Sequence, residues 1–131
     1  MATLLVPGAR LYYEVRGSGP MLLISQSGEG DAGRSTDMVD RLVDDHTVVT
    51  YDRRGLSRST LDDPGRPVTM REHTDDVNRL LAALTDTPVT MLGCSFGARN
   101  SGAVASDRNT KDGCRTPIVG LGFPGDLPVV P

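Results

Sequence analysis

Val89-Thr90-Met91-Leu92-Gly93-Cys94-Ser95-Phe96-Gly97 is the stretch that decides the fold of this chain. Val89–Leu92 is an apolar run of strand type, and Gly93–Gly97 is Gly-x-Ser-x-Gly, the pattern of a nucleophile elbow when it leaves a buried strand. A strand that turns this tightly into a helix holds the serine at its apex in a strained backbone conformation. Only glycine at the flanking positions, here Gly93 and Gly97, avoids a side-chain clash. The turn pushes the Ser95 hydroxyl out of the sheet over the N-terminus of the next helix, where the dipole and free N–H groups favour developing negative charge.

Upstream, the chain alternates strands with helices. Leu4–Val6, the turn Pro7-Gly8 and Arg10–Val15 predict a hairpin, and Gly17-Ser18-Gly19-Pro20 is a second turn. Met21-Leu22-Leu23-Ile24 is continuously apolar, as in a parallel strand buried on both faces, and it enters the polar loop Ser25–Asp31. A helix is expected from Ser35 or Thr36, with Met38/Leu42 and Val39/Val43 on its buried stripe. Thr47–Tyr51 is a β-branched strand running into Asp52-Arg53-Arg54-Gly55-Leu56-Ser57-Arg58-Ser59. Thr69-Met70-Arg71-Glu72 is a capping box, opening a helix with Val77, Leu80, Leu81 and Leu84 on one face, which Pro88 stops. The fold class is therefore α/β, with a hairpin followed by parallel strands and alternating helices up to the elbow.

After Ala98 the character changes. Residues 99–113 fall where a helix should follow the elbow, yet their apolar periodicity is weak and Ser, Asp and Asn favour caps and turns. Residues 117–131 carry four prolines and three glycines, which is loop composition. The expected organisation is thus 1–98 as one half of an α/β domain and 99–131 as an atypical, poorly ordered tail.

Composition narrows the function classes. A net charge of −3 and a pI near 5.2 argue against nucleic acid and against an anionic membrane surface as partners. No apolar stretch reaches the length of a membrane span, and the N-terminus lacks the basic and hydrophobic regions of a signal peptide, so a cytoplasmic location is expected. Cys94 and Cys114 fit neither a disulfide framework nor a metal site, and no cofactor or metal is expected. Gly28-Glu29-Gly30 lacks the lysine and spacing of a phosphate loop, and Glu29 and Asp31 would repel phosphate. Arg53, Arg54 and Arg58 are expected to pair with nearby acids such as Asp62 and Asp63.

The order of hairpin, Met21–Ile24 into a polar loop, Asp52-x-Arg54-Gly55-x-x-x-Ser59 and Gly93–Gly97 resembles the N-terminal half of an α/β-hydrolase-fold protein over residues 1–98. The resemblance implies Ser95 as nucleophile, with the backbone N–H of Phe96 and one from the Ser25–Gly28 loop, placed at Ser27, as oxyanion donors. It implies a small-molecule ester or acyl substrate and an acyl-Ser95 intermediate. In that family the order is serine, acid, histidine, and the acid and histidine lie on loops after later strands. At ~30 residues per βα unit, the 34 residues after Gly97 do not supply those units. Both histidines, His46 and His73, lie upstream and are read as solvent-facing, with His73 on the polar side of its helix beside Asp75 and Asp76. Asp107, Asp112 and Asp126 are read as turn carboxylates, and Cys94 as a small buried thiol.

Two further readings accompany the hydrolase. One is a truncated or frameshifted, inactive product whose last strand, Val89–Leu92, exposes an edge through which copies associate. The other is a small binding module without turnover.

Overall fold

The computed structural model describes residues 2–26, 32–94, 100, 104 and 118–121. Strand β3 (Met21–Ser25) is apolar at successive positions because both faces of the sheet are covered. Leu22 and Ile24 join Val48 of β4 (Thr47–Tyr51) and Val39 of α1 (Thr36–Leu42) in one cluster. Leu23 points the other way and packs with Val49, with Met91 of β6 (Thr90–Cys94), and with Val77, Leu80 and Leu81 of α2 (Met70–Leu84). The period-2 alternation of strands and the two helical stripes therefore place α1 and α2 on opposite faces.

The sheet order is β1-β2-β4-β3-β6-β7, where β1 is Ala2–Val6, β2 is Ala9–Gly17 and β7 is Ile118–Leu121; the short β5 (Thr60–Leu61) pairs with β2. β2 runs antiparallel to both of its neighbours, β1 and β4, whereas β4, β3, β6 and β7 are parallel. The chain leaves β3 toward β4 on one side and returns across it to β6 on the other. That reversal makes the carboxyl ends of β3 and β6 a topological switch point, the crevice where open α/β sheets bind ligands.

Local signals in the sequence account for the joints. Pro7-Gly8 is a two-residue turn closing Val6 onto Ala9, with Gly8 at φ +80°. Gly17 has φ +87°, and a Cβ there would lie 2.3 Å from the His46 carbonyl oxygen, so the backbones meet where only glycine fits. At the start of α2 the Thr69 side chain accepts from the Glu72 N–H while the Glu72 carboxylate accepts from the Thr69 N–H, the expected capping box.

Several expectations need correction. Ile118–Leu121, placed in a loop by its prolines and glycines, forms β7 and pairs in parallel with Met91–Cys94. β6 is consequently an inner strand, flanked by β3 and β7. Asn100 and Val104, two residues of the weakly periodic stretch, are helical and fully buried, and Val104 joins the larger core cluster. Met38, expected on the buried stripe of α1, is exposed, and the stripe rests on Val39 with Leu42 and Val43. His46 and His73 are half-buried rather than solvent-facing, and Asp76 is buried. No helix among the described residues is long and apolar enough to cross a membrane.

Candidate functional site

The site is built where β3, β4 and β6 end. Ser25 at the end of β3 is in register with Gly93, so the segments that follow these two strands leave the same end of the sheet side by side. Ser27 follows the first strand and Ser95, Phe96 and Gly97 follow the second; these four sequence-predicted residues lie outside the described residues. Gly93 is placed, within β6 and buried, two residues before the serine.

Two anchors hold the connection after β3. Gln26 Nε2 donates to Ser35 Oγ, and the Ala32 N–H donates to Asp52 Oδ1 at 2.8 Å. Asp52, fully buried, also accepts from the Arg58 N–H at 3.0 Å and from Arg58 Nε at 2.8 Å. Burial alone would raise this carboxyl, but the Arg58 guanidinium and the two backbone donors outweigh it and hold Asp52 below the usual carboxylate range. One side chain thereby ties the end of β4 to the loops on both sides of it.

The rest of the Asp-x-Arg-Gly-x-x-x-Ser segment is structural as well. Arg54 forms a bidentate pair with Asp76 of α2, Nε to Oδ2 and Nη2 to Oδ1 both at 2.7 Å, with a further hydrogen bond from Nη2 to the Pro7 carbonyl at 2.9 Å. Asp76 feels burial pushing its carboxyl up, opposed by the Arg54 guanidinium. Gly55 turns at φ +76°, and Ser59 Oγ accepts from the Tyr12 N–H while donating to the Asp52 carbonyl. Of the arginines expected to pair with acids such as Asp62 and Asp63, Arg54 pairs instead with Asp76 and Arg58 with Asp52, and Asp62 and Asp63 are exposed. Sequence reasoning missed Asp76 because helical periodicity marks apolar positions and carries no signal for a buried acid matched to a distant arginine.

A second polar group lies inside the apolar core. Ser25, Tyr51, Thr74 and Asn100 are each at most 3% exposed. Asn100 Nδ2 donates to the Tyr51 hydroxyl at 3.1 Å, and the Tyr51 hydroxyl lies 3.5 Å from Ser25 Oγ. Thr74 Oγ1 donates to Asn100 Oδ1 at 3.2 Å, sharing its proton with the Met70 carbonyl at 3.0 Å. Burial pushes the Tyr51 hydroxyl above the ordinary tyrosine value, and its Ser25, Arg53 and Asn100 neighbours only partly offset this.

The two histidines do not supply a base of ordinary strength to this end of the sheet. His46 stands at the entry to β4, the end opposite Tyr51 and Asp52. His73, in the first turns of α2, is pushed down to about 4 by burial and by the Arg53 and Arg54 guanidiniums. A ring with so low a proton affinity is a poor general base near neutrality. Among the described residues, no group of three or more His, Cys, Asp or Glu side chains could hold a metal ion.

Comparison with known proteins agrees with this architecture. The family described as alpha/beta hydrolase fold matches residues 20–116, reaching past Ala98. The uncharacterized hydrolase YraK of Bacillus subtilis is 47% identical over 96 residues, which cover 73% of this chain and 35% of YraK. The crystal structure of a hydrolase from Pseudomonas aeruginosa PA01 superposes with a TM-score of 0.72 at 28% identity, over 92% of this chain and 43% of that one. MGS-M2, an alpha/beta hydrolase from a Medee basin deep-sea metagenome library, shares the fold with a TM-score of 0.80 at 17% identity, over 91% of this chain and 43% of that one. The chain spans about a third of the length of curated relatives it matches.

Proposed function

The chain belongs to the α/β-hydrolase fold family, and from that premise we propose that it carries the nucleophile half of a serine hydrolase acting on a small ester or acyl substrate. Ser95 is the nucleophile. Its oxygen attacks the substrate carbonyl carbon, and the backbone N–H groups of Phe96 and Ser27 receive the oxyanion. The serine proton passes, through the triad histidine or water, to the leaving oxygen as its bond to the carbonyl carbon breaks, so that the alcohol departs and acyl-Ser95 remains. The observation that supports this reading is the register of Ser25 with Gly93. It starts the segment bearing Ser27 and the Gly-x-Ser-x-Gly turn from adjacent strand ends at the switch point, as a nucleophile and its second oxyanion donor require.

In this reading the acid and histidine of the triad lie outside these 131 residues, as befits a chain that spans 35% of YraK. His73 does not substitute, since its affinity for a proton is too low. The chemistry needs no cofactor. The working compartment is the cytoplasm, the partner is a small molecule, and neither nucleic acid nor membrane is involved.

Without the histidine, the acyl-enzyme forms slowly and then persists. The 131-residue chain mixed with p-nitrophenyl acetate is expected to release close to one equivalent of nitrophenol in a slow burst, with almost no turnover afterwards. Ser95→Ala abolishes the burst. A burst that survives Ser95→Ala, or none at all in the parent chain, overturns the proposal.

A further inference from the structure

Ser25, Tyr51, Asn100 and Thr74 place four polar side chains in a layer whose other members are leucine, valine and methionine. Apolar residues of the same shape could fill that space at little cost, because a buried hydrogen bond contributes modestly to stability while a buried group left unpaired is expensive. Such a network confers geometry: its members must all be in place together or one is left unsatisfied. Here the members come from four separate parts of the chain. Ser25 ends β3, Tyr51 ends β4, Thr74 lies on α2, and Asn100 is the helical residue five positions after Ser95. Ser25 also pairs through its backbone with Gly93, two residues before Ser95. Among the described residues, the Tyr51 hydroxyl bridges the two ends of this chain of contacts, accepting from Asn100 and facing Ser25.

We infer that Tyr51 is a positioning residue, whose hydroxyl couples Ser25 at the end of β3 to the helical residue Asn100, and that this coupling serves the Ser95 chemistry proposed above. The inference rests on the reading of Ser95 as nucleophile for its purpose, but the lock that the coupling forms is measurable without catalysis. The Tyr51 hydroxyl touches no substrate in this scheme; it acts through Ser25 and Asn100.

Hydrogen exchange on the 131-residue chain tests the lock. In Tyr51→Phe, peptides covering residues 21–26 and 100–104 are expected to exchange about tenfold faster together, while those of β1 and β2 keep their protection. Ser25→Ala, which removes only one end, gives a smaller rise at the same two places and serves if Tyr51→Phe does not fold. A change at one place alone, a uniform rise everywhere, or no change overturns the lock. The second readout is inactivation by a fluorophosphonate probe. Tyr51→Phe should lower the limiting inactivation rate about tenfold with the half-saturating probe concentration unchanged, since misplacement costs rate rather than binding. An unchanged limiting rate overturns the positioning role. A parent chain that takes up no probe contradicts the Ser95 reading and the positioning role with it, while the exchange pattern still decides the lock.

Discussion

Arg54 and Asp76 form a bidentate pair in which both side chains are buried. Removing one partner strands the other, so Asp76→Ala should cost about 3–5 kcal/mol. Arg54→Met combined with Asp76→Leu should recover most of that loss, and urea unfolding of the two variants separates the outcomes. His73 adds a pH dependence. Its folded value of about 4 lies below the ordinary 6.5, so the unfolded chain takes up the proton first as the pH falls. His73 leaves stability unaffected above pH 6.5, where it is neutral in both states, and lowers it progressively as the pH drops toward 4. His73→Gln should flatten the dependence of the urea midpoint on pH across that window; an undiminished slope in the variant would assign the dependence to other groups.

At the scale of elements, the signals that were legible in the sequence are the local ones. Thr69 and Glu72 announce the start of α2 because the capping box is made by residues three apart, and Thr69→Ala should lower stability by about 1 kcal/mol in thermal unfolding. Gly17 is legible as a turn glycine, but the reason for it is remote: the chain passes against the His46 and Val43 carbonyls. Gly17→Ala combines that clash with the strain of φ +87° and should cost at least about 2 kcal/mol. β7 was illegible for the opposite reason. Its four residues sit among prolines and glycines, and only the waiting edge of β6 makes a strand of them. Burial of Asn100 and Thr74 was hidden in the same way, because each is polar and each is matched by a partner many residues away.

For the whole molecule, the α/β class follows from the pattern of apolar runs, while the contents of the site follow from register. Leu80 of α2 and Met91 of β6 share the larger core cluster, and Leu80→Ala should cost about 2–5 kcal/mol, read as a fall in melting temperature. The family was legible because its motifs are contiguous and in order. The roles within them were less so: Asp52, Arg54, Gly55 and Ser59 serve to fold the loop after β4 and tie it to β2 and α2. The parallel strands then bring the ends of β3 and β6 together, and the proposed chemistry draws its nucleophile and its second oxyanion donor from the segments that follow them. The decisive experiment is mass mapping of the 131-residue chain after treatment with a fluorophosphonate. A single adduct on the peptide containing Ser95, absent in Ser95→Ala, is the expected result; an unmodified Ser95, or an adduct spread over other serines, would contradict the assignment.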